Sequence, residues 1–175
     1  CGMPAKNASK VDRDDHEYYD EVTSPLIESN PLVEYIGEIG DAEKSEFLSG
    51  AIGLLVPIDW PEPFGLVMIE SMACGTPVIA YNRGSVAEII DDGLTGFIVE
   101  DETSAVAAVD RLSGLSRNAI RKQFEARFTA RRMALDYLAA YRRPVEAAVP
   151  RHTQQARPGQ CRPPYFPPPA PAVAR

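Results

Sequence analysis

Several signatures that would assign a function at sight are missing from these 175 residues. No apolar stretch approaches the roughly 20 residues a helix needs to span a bilayer. No charged-then-apolar segment opens the chain as a secretory signal would. The three cysteines, Cys1, Cys74 and Cys161, stand far apart, with no CxxC pattern and no His at ligand spacing. That argues against a disulfide scaffold or a zinc site and fits a reducing, cytoplasmic setting. Neither GxGxxG nor GxxxxGK occurs, which removes the usual dinucleotide and P-loop readings. The two histidines, His16 and His152, have no partners that suggest a triad or a metal site. Asp12-Arg13-Asp14 has the Asp-x-Asp spacing that can hold a metal, but it precedes a helix in an acid-rich stretch, where acids favour the dipole. No metal site is therefore expected. Asn7-Ala-Ser9 forms a glycosylation sequon without secretory context and is given no weight.

What is present is first a length sufficient for one ordinary core, so one domain is expected. The net charge of −7 conceals an asymmetry. Residues 1–102 carry 21 acids against 5 Lys and Arg, whereas residues 103–175 carry 4 acids against 13. Many of the later cations fall on a helical region: Arg117, Arg121, Lys122, Arg127, Arg131, Arg132, Arg142 and Arg143. They can form a solvated face that complements an acidic neighbour, or draw the protein to anionic lipid headgroups as a peripheral contact at the inner face of the membrane. Nucleic acid is not an expected partner, because the aromatics are not interleaved with these charges. From Pro144 the composition changes: residues 144–175 hold nine of the sixteen prolines, including Pro163-Pro164-Tyr165-Phe166-Pro167. This Pro- and Arg-rich tail is expected to be disordered or locally polyproline II.

Between these ends strands and helices alternate, as a parallel α/β domain requires. A helix perturbed by Pro25 follows Asp14-Asp15. Strands are expected at Leu32–Ile36, Gly53–Pro57, Pro77–Tyr81 and Phe97–Val99. Helices are expected from Asp41 to about Leu48, with Asp41 as cap, and from Gly84 to Ile90. Further helical spacing recurs over Val106, Val109 and Leu112, and over Ala134, Tyr137, Leu138 and Tyr141. In such sheets ligands collect at the carboxyl ends of strands. The loops 37–40, 60–65 and 83–85 should therefore converge.

The second of those loops carries the most informative segment, Glu62-Pro-Phe-Gly-Leu-Val-Met-Ile-Glu70. Pro61 and Pro63 hold the chain extended around Glu62. An apolar helix then runs to Gly75, with Pro77 beyond, the usual punctuation of a helix end. Such a helix reads as buried on nearly every side. Glu70 is its only charge and should face a polar ligand, since an unpaired buried carboxylate is costly. The helix entrance is an anion site in its own right. With an acid on each side, the best single ligand class is a sugar joined to a phosphate. Spacing alone would not justify this, for Glu38 and Glu46 are also eight apart; the proline-flanked turn and the Gly75 stop set the pair apart.

The run from Trp60 to Ala80, WPEPFGLVMIESMACGTPVIA, closely resembles the donor-binding segment of retaining glycosyltransferases of family 4, which have the GT-B fold. Gly84-Ser-Val-Ala-Glu88 and Asp91-Asp-Gly-Leu-Thr-Gly-Phe-Ile-Val99 resemble its next two landmarks. The resemblance implies a Rossmann-like α/β fold, a parallel sheet flanked by helices, over residues 1–143: the carboxyl-terminal, nucleotide-sugar-binding half of GT-B. It implies that Glu62 is the catalytic-site carboxylate, holding donor-sugar hydroxyls and not acting as a nucleophile. Backbone N–H groups around Phe64, Gly65 and Leu66 would bind sugar and diphosphate, and Glu70 would accept from the ribose. Backbone at Gly37, Glu38 and Ile39 would face the base. The donor would be a UDP- or GDP-sugar and no cofactor would be needed. The acceptor stays open between a lipid-linked and a small molecule. Family members also place an Arg and a Lys on the diphosphate after a first strand, and an amino-terminal domain around the acceptor. Neither is found in this sequence, so the chain is expected to be incomplete at its N-terminus and inactive alone. The alternative is a non-catalytic nucleotide-sugar-binding module or one subunit of a split enzyme.

Overall fold

The computed structural model describes residues 2–148, with side chains through Arg142. Its first sheet pairs β1 (Ala5–Asn7) in parallel with β2 (Val33–Tyr35), Lys6 opposite Glu34. Lys6 and Asn7 look unsuited to a strand, yet all three β1 residues are exposed. Polar side chains cost nothing there, and Lys6 pairs with Glu34 across the ladder at 3.1 Å. The connection is helical from 13 to 28: a 3₁₀ turn, α1 (His16–Tyr18), a π turn at Tyr19–Thr23, and α2 (Ser24–Glu28). Pro25 is the second residue of α2, directly after the π turn, so the helical path continues through it.

The second sheet has the order β3-β4-β5 and is also parallel. Its strands are Leu54–Val56, Val78–Tyr81 and Gly96–Val99. Helix α3 (Asp41–Gly50) precedes β3, α4 (Leu66–Ala73) joins β3 to β4, and α5 (Val86–Ile89) lies between β4 and β5. Beyond β5 come α6 (Glu102–Val109), a 3₁₀ turn (Leu112–Gly114), α7 (Arg117–Arg127) and α8 (Ala130–Ala148). The N-cap of α3 is Gly40, one residue ahead of the expected Asp41. The Glu43 carboxylate accepts from the Gly40 N–H at 3.1 Å. Asp101 caps α6 by accepting from the Ser104 N–H at 2.8 Å.

Strand β4 is central and buried on both faces, so its side chains divide between two clusters. Val78 and Ala80 meet Met68, Met72, Val86, Ile89 and Ile120 on the side of α4, α5 and α7. Ile79 meets Phe97, Val99, Ala108 and Leu112 on the side of α6. Full burial of Met68, Met72 and Ile120 contributes about 2 kcal/mol each by area removed from water.

Three arginines of α7 reach the C-termini of three other helices. Arg117 donates to the carbonyls of Ser49 and Ala51 at the end of α3 and to Thr76 Oγ1. Arg121 donates to Ala73 O at the end of α4, and Arg127 to Glu88 O and Ile89 O at the end of α5. Helix ends leave carbonyls without partners and a partial negative charge, and a guanidinium answers both. Much of the basic stretch is thus committed to structure, and Arg121 and Arg127 also pair with Glu125 and Asp91.

The chain divides into two units, 1–134 and 135–175. Helix α8 confirms the helical spacing through Tyr141, and its backbone stays helical past Pro144 to Ala148. Leu135, Tyr137, Leu138 and Tyr141 are exposed, and the two tyrosine rings stack with centroids 6.2 Å apart. The expected disorder of the tail concerns residues that, from 149 onward, lie outside those described. No helix among the described residues is long and apolar enough to cross a membrane.

Candidate functional site

The loop after β3 folds around the Glu62 carboxylate. Oε1 accepts from the Gly65 N–H at 3.0 Å and the Phe64 N–H at 3.4 Å, and Oε2 from the Trp60 Nε1–H at 3.3 Å. The Gly65 N–H, the indole and the Phe64 N–H hold its pKa below the ordinary carboxylate value. Two of the amides expected to greet a ligand, those of Phe64 and Gly65, are therefore already engaged by the acid beside them. Leu66 opens α4 and, with Phe64 and Trp60, is well exposed. Its N–H is one of the orphan donors at a helix start.

The loop after β4 clamps this one from below. The Ser85 N–H donates to the Glu62 carbonyl at 2.9 Å. Arg83 Nε reaches Asp59 at 2.9 Å and its Nη1 reaches Glu100 at 3.5 Å. Gly84 has φ +54, and a Cβ there would overlap the Glu62 backbone and come within 2.7 Å of the Pro61 carbonyl carbon. Only glycine combines this backbone conformation with so close an approach. Ser85 Oγ is buried without a hydrogen-bond partner among the described residues. Loops 60–65 and 83–85 thus meet at the carboxyl ends of adjacent parallel strands.

Helix α4 departs from the expected burial on every side. Met68, Ser71 and Met72 face the core, but Leu66 is 62% and Val67 39% exposed. The Glu70 side chain is 38% exposed, so it is not a carboxylate sealed in an apolar interior. It lies four residues, about 6 Å of helix rise, beyond Leu66. Its charge is met by Lys44 of α3, whose Nζ stands 3.0 Å from Glu70 Oε1 and 3.3 Å from Asp41 Oδ1. The hydrogen bond to Glu70 is the main cause that raises the Lys44 pKa above its ordinary value.

The third loop leads directly into α3, the helix that carries Lys44. Gly37 and Ile39 are half-buried and Glu38 is exposed. No hydrogen bond or ion pair runs from 37–39 to the other two loops among the described residues. An apolar cavity of about 220 Å³ lies on the α6 face of the sheet, between Leu55, Pro57, Tyr81, Val99 and Val106. It contains none of the expected site residues. Among the described residues no three His, Cys, Asp or Glu side chains are grouped to hold a metal ion.

Sequence reasoning missed Lys44 and the close approach of Gly84. Lys44 is one of only five cations in residues 1–102. That scarcity is a usable signal, but its partner lies 26 residues away.

Comparison with known proteins agrees with this architecture. The family described as glycosyl transferases, group 1, matches residues 24–131. A phosphatidyl-myo-inositol mannosyltransferase of Mycobacterium leprae is 32% identical over 113 residues, covering 65% of this chain and 29% of that protein. The crystal structure of a glycosyltransferase involved in avilamycin A biosynthesis superposes with a TM-score of 0.67 at 29% identity, over 85% of this chain and 45% of the other. The sucrose-phosphate synthase of Thermosynechococcus elongatus gives 0.65 at 27% identity, over 82% and 39%. The chain thus spans under a third of the mannosyltransferase's length.

Proposed function

We propose, on the premise that this chain belongs to the glycosyl transferases of group 1, an enzyme family with the GT-B fold, that it is the donor-binding domain of a retaining, family 4 glycosyltransferase. The reaction would move a sugar from a UDP- or GDP-sugar to an acceptor hydroxyl, supplied by a lipid-linked or small molecule on a separate acceptor-binding domain. The observation that carries this reading is the meeting of loops 60–65 and 83–85 at the mouth of α4, with one carboxylate before the helix and one inside it.

In this role Glu62 holds the donor sugar through the one acceptor position its loop leaves free, since an ionised carboxylate can accept about four hydrogen bonds and here accepts three. Charged acceptors bind hydroxyls more strongly than neutral ones. The Leu66 N–H and the positive end of α4 face the diphosphate. The buried Ser85 hydroxyl, 3.3 Å from where a Gly65 Cβ would stand, is an additional donor beneath the turn. Glu70 takes ribose hydroxyls, and backbone at Gly37, Glu38 and Ile39 reads the base. Positioning and stabilisation of the departing diphosphate supply the catalysis. A cytoplasmic setting fits the free thiol of Cys74.

Titration of the chain with UDP, GDP and ADP and their glucose and mannose conjugates tests the reading. One base should bind measurably, and Glu70→Ala should weaken it by about tenfold, the cost of a hydrogen bond to a charged group. Unchanged affinity in Glu70→Ala, or no nucleotide bound by the wild-type chain, overturns the assignment. Donor binding that supports no transfer after an acceptor domain is added would favour a non-catalytic module.

A further inference from the structure

Residues 1–102 hold five cations among 21 acids. Lys6 faces Glu34, Lys10 faces Asp12, and Arg83 faces Asp59 and Glu100. Lys44 alone among these pairs touches a carboxylate of the proposed donor site. We propose that Lys44 is a positioning residue for the nucleotide: its ammonium fixes Glu70 through Oε1, so that Oε2 is presented to the ribose hydroxyls. This rests on the donor-binding reading above and adds to it a residue on a different helix.

The geometry separates the two arms of the Lys44 bridge. The Asp41 side chain is fully exposed, so water and salt compete freely for it. Glu70 and Lys44 are 38% and 33% exposed, and their contact is the shorter. The Glu70 arm therefore sets the geometry, while Asp41 steadies the ammonium from the preceding turn of α3. Glu70 Oε2 has no partner among the described residues. A glutamate side chain has three rotatable bonds, and a single-oxygen tether removes much of that freedom before a ligand arrives, which is preorganisation. Lys44 stays charged at neutral pH, its pKa raised first by the hydrogen bond to Glu70, so the tether does not titrate away there. It also offsets the Glu70 charge along the path of an anionic diphosphate. Because Gly40 caps the same helix, Lys44 ties the base-facing loop to the ribose acceptor.

The test compares UDP and GDP with their 2′,3′-dideoxy forms, titrated by NMR into the full chain. Wild type should prefer the ribose form by about tenfold. Lys44→Met should shrink that preference to about threefold or less. A purely structural role would weaken both nucleotide forms alike and leave the ratio intact, and that result overturns the inference. Glu70→Gln separates the two levels. Loss of the preference in Glu70→Gln with full retention in Lys44→Met refutes only the role of Lys44. Retention in Glu70→Gln, or a wild-type chain indifferent to the ribose hydroxyls, refutes the ribose assignment itself. Far-UV circular dichroism checks the fold, and Lys44→Gln serves if Lys44→Met does not fold.

Discussion

Gly84→Ala tests whether the two site loops truly lie one upon the other. Two costs are separable in the structure. At φ +54 a Cβ meets its own backbone, worth about 1–2 kcal/mol for an L-residue in the left-handed region. The new methyl would also overlap the Glu62 backbone and crowd Pro61, and overpacking of this kind costs about 1–3 kcal/mol. Alanine narrows the unfolded ensemble and returns somewhat under about 1 kcal/mol, leaving a net loss of about 1–4 kcal/mol. With a urea dependence of about 2 kcal/mol per molar, the unfolding midpoint should fall by about 0.5–2 M. Gly93→Ala is the control, because Gly93 has φ +76 with nothing within 4 Å of the added Cβ. It bears the conformational cost alone, so its midpoint should move by about 0.5 M. The difference between the two variants isolates the contact with Glu62. Coincident midpoints would show that residues 61–62 do not rest against Gly84, and the site geometry would fall with them.

Two further outcomes follow from the contacts. Arg117→Met removes donors from Ser49 O, Ala51 O and Thr76 Oγ1 and should lower stability by about 1–3 kcal/mol by chemical denaturation; Arg117→Lys should recover less than half, since an ammonium cannot span the three acceptors. Glu62→Gln concerns pH. The native carboxyl titrates below its ordinary value of 4.5, so the unfolded state binds more protons between the two values. The contribution of Glu62 is therefore complete above that range and lost as pH falls through the native pKa. Stability curves between about pH 5 and 3 should be flatter for Glu62→Gln than for wild type, and equal slopes would contradict the hydrogen bonds drawn to Glu62.

The elements that decide the fold were legible where local chemistry and burial agree. The stop after α4 could be read from Gly75 and Pro77, and β4 from an unbroken apolar run, because both signals are short-range. The short helix Val86–Ile89 and the strand Gly96–Val99 also fall within a residue or two of expectation. Burial around α4 was misread because composition cannot say which side of a helix meets the core. Leu66 and Val67 lie outward although they are as apolar as Met68. The arginines of α7 looked like surface charge because their partners are backbone carbonyls 38 to 68 residues away, and a carbonyl leaves no mark in a sequence. Lys44 was hidden for the same reason of distance.

The two site carboxylates solve one electrostatic problem by different means. Under the proposed role an anionic donor must enter a region whose first 102 residues hold 21 acids and 5 cations. Like charges at close range would oppose it. Glu62 is answered by dipoles, two amides of its own turn and an indole. Glu70 is answered by a full charge from another helix. Dipoles lower the field around an acid while leaving it ionised and still able to accept from hydroxyls. The ammonium goes further and cancels the charge, which matters more for Glu70, where no backbone N–H is available within the body of a helix. In that role the two acids would offer acceptors to sugar and ribose without presenting their full negative charge to the phosphates. Reversing either device, by Trp60→Phe or Lys44→Met, should raise the repulsion felt by a diphosphate more than that felt by a free nucleoside. That contrast separates electrostatic compensation from simple loss of shape.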